Sequence, residues 1–256
     1  MTFFESAGFR IAFTDEGAGP PILLIHGFAS SARVNWHETS WVSTLTKAGR
    51  RVVAIDNRGH GQSAAPRETA AYALPGLADD ALRLLDHLAI HRTAVMGYSM
   101  GARIAALLAI GHPDRVSSLI LGGIAGGLVA GMAKTEIIAR GLEAPTLEEI
   151  SDDTARSFRA FADRTGSDRA ALAAAMRTPR DVIAAGDLGR LSLPILAAVG
   201  SRDTLAGPIG ELAVSLPQAE LFEIAGRNHM NAVGDRTFKA AVLDFLERND
   251  PPQLVN

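Results

Sequence analysis

"TAVMGYSMGARIAALLAI", residues 93–110, is the stretch on which the fold turns. Its first six residues form a short apolar run containing β-branched Thr93 and Val95, the pattern of a strand buried on both faces. From Met100 onward it is apolar nearly all round, as expected of a helix enclosed by its neighbours. Ser99 stands at the join, between Gly97 and Gly101. A strand that passes into a helix through G-x-S-x-G makes a sharp turn that strains the serine backbone and lifts its hydroxyl clear of the sheet. A Cβ at either glycine would strike the neighbouring strand or helix. The free N–H groups at the helix start favour negative charge beside that hydroxyl.

Working outward, further apolar runs end in glycine or a polar residue: "PILLIHG" from 21, "RRVVAID" from 50, "VSSLILGG" from 116 and "LPILAAVGS" from 193. They read as parallel strands, and "AELFEIAG" from 219 adds a last one. "FFESAGFRIAFTDEGAG" alternates around Ala7-Gly8 and predicts an antiparallel hairpin. Residues 76–90 place Leu77, Ala81, Leu84, Leu85 and Leu88 on one helical face. "ELAVSLP" and "RTFKAAVLDFLER" predict two later helices. Alternating strands and helices imply an open, mostly parallel sheet with helices on both faces. The pattern breaks between 123 and 190, which opens with "GIAGGLVAG" and continues without a convincing strand. Residues 1–122 and 191–256 therefore predict the core, and 123–190 a helical lid whose first glycines let the backbone bend or pack.

The bulk numbers narrow the function. The chain has 256 residues, 47% hydrophobic, enough to bury a large core. A net charge of -3 without basic stripes gives no reason to expect nucleic acid or a membrane surface as partner. The absence of cysteine removes disulfides and thiolate catalysis. Nothing at the N-terminus reads as a signal peptide and no apolar run could span a bilayer, so a cytoplasmic protein is expected. "GHGQSA", 59–64, fits G-x-G-x-x-A, but "DNR" separates it from the strand and a proline follows where a helix should start. No H-E-x-x-H or H-x-H spacing suggests a metal site. Neither metal nor cofactor is expected.

A serine hydroxyl needs a base. In this turn type the partners follow in the order serine, acid, histidine. Of seven histidines, His229 alone lies far downstream, in "AGRNHMNAV" between the last strand and last helix. Asp203, in the loop after "LPILAAVGS", would hold the imidazole in the right tautomer. Two backbone donors should face the developing oxyanion: the N–H of Met100, after the nucleophile, and that of Phe28, in the loop after "PILLIHG". His26, Arg58 and His60 read as structural braces.

With "HGF" at 26–28, "DNRGHGQS" at 56–63, "GYSMG" at 97–101, "GSRD" at 200–203 and "NH" at 228–229, the sequence resembles the α/β-hydrolase superfamily. The resemblance implies an eight-stranded, mostly parallel sheet flanked by helices, a cap after strand six, and a triad of Ser99, Asp203 and His229. Dehalogenases and epoxide hydrolases of this fold use an aspartate nucleophile, which Ser99 excludes. The expected activity is a carboxylesterase-type cleavage of small to medium acyl esters through an acyl-enzyme. The alternatives are a C–C bond or enol-lactone hydrolase, or a ligand receptor that retains the triad. Phe28, Trp36, Met132, Phe158, Phe161 and Met230 are the expected pocket, the partner a small-molecule ester, and the protein a monomer or homodimer.

Overall fold

A computed structural model describes residues 1–131, 133–179 and 183–251. Eight strands form one sheet: β1 Thr2–Ser6, β2 Phe9–Glu16, β3 Pro21–Ile25, β4 Arg51–Ile55, β5 Thr93–Tyr98, β6 Val116–Gly122, β7 Ile195–Gly200 and β8 Glu220–Ile224. Their order is β1-β2-β4-β3-β5-β6-β7-β8. β2 pairs antiparallel with β1 and β4, and every other pair is parallel. Ala7 and Gly8 both have positive φ, the geometry of a two-residue turn whose twist matches its strands.

The helices are α1 Trp41–Lys47, α2 Leu74–His87, α3 Met100–Gly111, α4 Gly127–Ala130, α5 Thr135–Glu143, α6 Asp153–Thr165, α7 Arg169–Arg177, α8 Ala185–Leu188, α9 Ile209–Ser215, α10 His229–Ala232 and α11 Arg236–Asn249. α2 starts earlier than its periodicity suggests, because Pro75 in the first turn has no N–H to lose there. No described helix is long and apolar enough to cross a membrane.

Strand alternation sorts the core onto two faces. Leu23, Ile25, Val53, Ile55, Val95 and Leu121 point toward α2 and α3. Ile22, Leu24, Val52, Ala54, Ala94 and Met96 point to the other side, against Trp41 and Leu45 of α1 and Phe238, Val242 and Phe245 of α11. This is why the inner strands read as unbroken apolar runs.

Between β6 and β7 the described residues hold five helices, α4 to α8, and no strand. α5 packs on α6 and α7. The segment buries Leu128, Ile138, Leu142, Leu172 and Leu188 in the same apolar cluster as the sheet and adds polar ties. Arg67 pairs with both carboxylate oxygens of Asp168, Nη2 at 2.7 Å from Oδ2, and the Thr178 hydroxyl donates to the Thr69 carbonyl at 2.6 Å. The glycines that open the segment pack tightly. A Cβ on Gly123 would lie 2.5 Å from the Tyr98 ring, and one on Gly127 2.9 Å from the Ala206 carbonyl oxygen.

The "DNRGHGQS" loop is braced by buried charge. Arg58 lies across the Asp80 carboxylate, Nε at 2.6 Å and Nη2 at 2.7 Å, with both side chains almost wholly inside the protein. Ser6 donates to the same carboxylate. Removing one partner strands the other charge in a low-dielectric interior. Asp80→Ala is expected to cost about 3–5 kcal/mol of folding stability. Urea unfolding of variant and wild type measures it, and a loss below about 1 kcal/mol would mean water reaches Arg58.

Candidate functional site

Ser99 leaves β5 and caps α3 with φ 55° and ψ −112°. A Cβ on Gly97 would come within 2.2 Å of the Gly101 carbonyl oxygen, and one on Gly101 within 2.0 Å of the Ile25 carbonyl oxygen. No other residue fits either place without moving backbone. The Ser99 N–H donates to the Gly122 carbonyl at 2.8 Å, which ties the turn to β6.

Asp203 follows β7. Its Oδ1 accepts the N–H groups of Leu205 and Ala206, at 2.9 and 3.0 Å, and its side chain is fully buried. Its Oδ2 lies 2.8 Å from His229 Nδ1. His229 Nε2 lies 3.0 Å from Ser99 Oγ. With Nδ1–H donated to the carboxylate, the Nε2 lone pair faces the hydroxyl, the arrangement that lets the imidazole accept the serine proton. Residues from β5, the loop after β7 and the start of α10 are thus joined in one line of hydrogen bonds.

Two residues that the sequence reading passed over hold this line in place. The Tyr98 hydroxyl donates to the His229 carbonyl at 2.7 Å. Asn228 caps α10 by accepting the N–H groups of Met230 and Asn231, while the Asn231 side chain accepts the Asn228 N–H. The capping pair was visible as "NHMN", with polar residues three apart. Nothing local marked Tyr98.

The loop after β3 is held by a third such residue. Asn35 is buried and its Oδ1 accepts the Gly27 N–H at 2.8 Å, fixing the backbone just before Phe28. Met100 opens α3, so its N–H has no carbonyl a turn earlier to bind. His26 is fully buried, its Nδ1 2.7 Å from the Gly27 carbonyl and its Nε2 accepting the Asn57 N–H at 3.0 Å. It braces two loops and lies off the line through Ser99. Burial pushes its imidazole down to about 4, against the Gly27 hydrogen bond, which raises it.

Two cavities meet at Ser99 and His229. One, of about 230 Å³, runs past Phe28, Val34, Phe158, Phe161 and Met230. The other, of about 440 Å³, runs past Met100 and Phe158 toward Arg103 and Lys134. Phe158 stands at the junction, edge-on to Phe28 with ring centroids 5.7 Å apart. Phe28, Phe158, Phe161 and Met230 therefore line space beside the serine. Trp36 does not. It is fully buried on the opposite side of its turn, edge-on to Trp41 in the core between the sheet and α1. The turn at Arg33–His37 has π-helical hydrogen bonding, which gives Val34 and Asn35 to the site and Trp36 to the core. Met132 lies outside the described residues. Among the described residues no cluster of three or more histidine, aspartate or glutamate side chains could hold a metal ion.

A family model described as the α/β hydrolase fold matches residues 20–140. The chain is 34% identical over 115 residues to bifunctional epoxide hydrolase 2 of Sus scrofa, covering 44% of this chain and 20% of that protein. It is 41% identical over 123 residues to 2-hydroxymuconate semialdehyde hydrolase of Pseudomonas sp. strain CF600, covering 47% of this chain and 42% of that one. The chain thus spans less than half the length of these curated relatives. A solved structure, the enol-lactonase from Burkholderia xenovorans LB400, superposes with a TM-score of 0.78 at 25% identity over 96% of this chain and 99% of that chain.

The depressed His26 value predicts a pH dependence of folding. The unfolded chain takes up this proton near 6.5 and the folded protein only near 4, so stability is lost as pH falls between those values. His26 should account for about 2 kcal/mol between pH 7 and pH 5, since each pH unit of displacement is worth about 1.4 kcal/mol. The comparison is chemical unfolding of wild type and His26→Gln at both pH values. An unchanged pH dependence in the variant would show that other groups carry it.

Proposed function

The chain belongs to the α/β-hydrolase superfamily, and from that premise we propose that it is a serine hydrolase that cleaves carboxylic esters of small to medium acyl groups. One observation carries the reading: the unbroken path from buried Asp203 through His229 to Ser99, with spacings of 2.8 and 3.0 Å. Ser99 Oγ attacks the ester carbonyl as His229 Nε2 takes its proton. The carbonyl oxygen becomes an anion and is met by the N–H groups of Phe28 and Met100; one such donor is worth about a hundred- to a thousandfold in rate. His229 then gives its proton to the departing alcohol. Water, deprotonated by the same imidazole, releases the acyl group. Asp203 stays ionised and stabilises the imidazolium. The reading needs no metal or cofactor, and takes residues 123–190 as a cap over the acyl site and the protein as a cytoplasmic monomer or homodimer.

A second reading has support of its own. Likeness to the 2-hydroxymuconate semialdehyde hydrolase and to the enol-lactonase favours cleavage of a C–C bond or a ring-closed enol ester with the same triad. The epoxide hydrolase relative is set aside on Ser99, because opening an epoxide through the nucleophile of this fold takes a carboxylate. A panel of p-nitrophenyl esters beside an enol lactone and a vinylogous diketone separates the readings. Slow single turnover on all of them, with a large rise in Tm on binding, would favour a receptor.

Ser99→Ala is expected to lower ester hydrolysis on the order of a millionfold. Intact-mass and peptide analysis should place a serine-directed phosphonate on Ser99 alone. A variant that keeps a tenth of the wild-type rate would remove Ser99 from the mechanism.

The cap should act on acyl length. A longer acyl chain buries methylenes against Phe158 and Phe161, each worth about 0.8 kcal/mol. Losing two such contacts shifts preference roughly tenfold, since about 1.4 kcal/mol is a factor of ten. Phe158→Ala and Phe161→Ala are therefore expected to depress kcat/KM for C8 and C10 esters more than for acetate. Profiles lowered equally at every length would mean the rings only hold the cap together.

A further inference from the structure

We propose that Arg103 is a specificity-determining residue, and that the esters this protein takes carry a carboxylate on the part that enters the larger cavity. The inference rests on the serine-hydrolase reading above and narrows its substrate class.

Arg103 lies four residues after Ser99 on α3, on the same face of the helix and about 6 Å along its axis. It lines the cavity that begins at Ser99, Met100 and His229. The residue is 5% exposed. A guanidinium so placed is normally paired with an acid, because an unpaired buried charge is costly. Among the described residues Arg103 has no carboxylate within 4 Å. Its hydrogen bonds go to the carbonyls of Gly127, through Nη2, and of Leu128, through Nη1 at 3.1 Å. These use one N–H on each terminal nitrogen. A guanidinium has five N–H donors in a fixed plane, so these two bonds leave three to spare on a residue that lines the cavity. Burial lowers the Arg103 pKa, as expected of a cation held without a counter-ion.

The surroundings fit a small anion. Gly123, Gly126, Gly127, Gly131 and Gly207 line the same cavity, so much of its wall is backbone. Lys134 supplies a second cation at the rim, partly neutralised by Asp152 at 2.8 Å. Glu211 also lines the space, but it is exposed and forms no ion pair with either cation among the described contacts. A carboxylate meets a planar guanidinium through two parallel hydrogen bonds, which give geometric selectivity as well as attraction. The two carbonyls fix the plane of Arg103 before substrate arrives. An ester whose carbonyl sits at Ser99 could then reach Arg103 with a carboxylate a few carbons away.

The test compares substrates matched for length. On the acyl side the pair is p-nitrophenyl hydrogen glutarate and p-nitrophenyl hexanoate. On the alcohol side it is 4-acetoxybutyrate and pentyl acetate. Wild type is expected to favour the charged member of one pair by at least tenfold in kcat/KM, chiefly through KM, and the pair concerned identifies which half of the ester lies by Arg103. Arg103→Gln should bring that ratio to about one, Arg103→Lys should keep part of it, and Glu211→Gln should raise it. Glutarate should also inhibit wild type competitively while pentanamide does not, which tests the site even if the Arg103 variants fold poorly. No preference in either pair, or a ratio unchanged in Arg103→Gln, overturns the proposal and leaves Arg103 as an anchor for α4. Ester turnover without that preference would spare the serine-hydrolase reading. Glutarate binding by a protein that turns over no ester would instead defeat that reading and keep the anion site.

Discussion

Ser99 keeps a left-handed φ of 55° between two glycines whose places are closed to any side chain by backbone oxygens. Such a conformation costs about 1–3 kcal/mol and persists only where its surroundings enforce it. Here β3, β5, β6 and α3 all meet at this turn. The Ile25 carbonyl lies under Gly101, and the Gly122 carbonyl binds the Ser99 N–H. The strain places the hydroxyl at the carboxyl edge of the sheet, where the loops after β3 and β7 and the start of α10 converge.

From that point the structure has two sides. On one side, buried polar groups hold the loops: Asn35 on Gly27, His26 on Asn57, Arg58 on Asp80. Each is buried and hydrogen-bonded, which restricts the positions of Phe28 and its N–H. On the other side the inserted helices bury Leu128, Ile138, Leu142, Leu172 and Leu188 in the same apolar cluster as the sheet, and add polar ties and the Phe28–Phe158 edge contact. The Thr165 hydroxyl at the end of α6 also lies 3.1 Å from the Ala29 carbonyl. The helix that supplies Phe158 to the cavities therefore also touches the loop that carries Phe28, so the cavity wall and that loop share a support.

Arg103 shows how one helix can serve two ends of a substrate. Its spacing from Ser99 is set by the pitch of α3, and the carbonyls of α4 set its plane. Neither depends on the triad, so the reacting bond and the charge selectivity can vary independently while the fold is unchanged.

The sequence alone determined the strands, because strands covered on both faces must be apolar throughout, and it determined the elbow, because the glycines at 97 and 101 have a steric reason visible in the chain. It also singled out Ser99, Asp203 and His229 by order and by position at strand ends, and the tertiary structure brings these three together. Only the tertiary structure decided Trp36, since a turn of π-helical hydrogen bonding rotates neighbouring side chains away from the direction that sequence position suggests. It alone located Asn35 and Tyr98, whose partners lie 8 and 131 residues away. It alone decided that the glycines opening the inserted segment are needed for close packing. Whether Arg103 is a solvated cation or a buried one also lay beyond the sequence, because burial belongs to the packed chain and not to the residue.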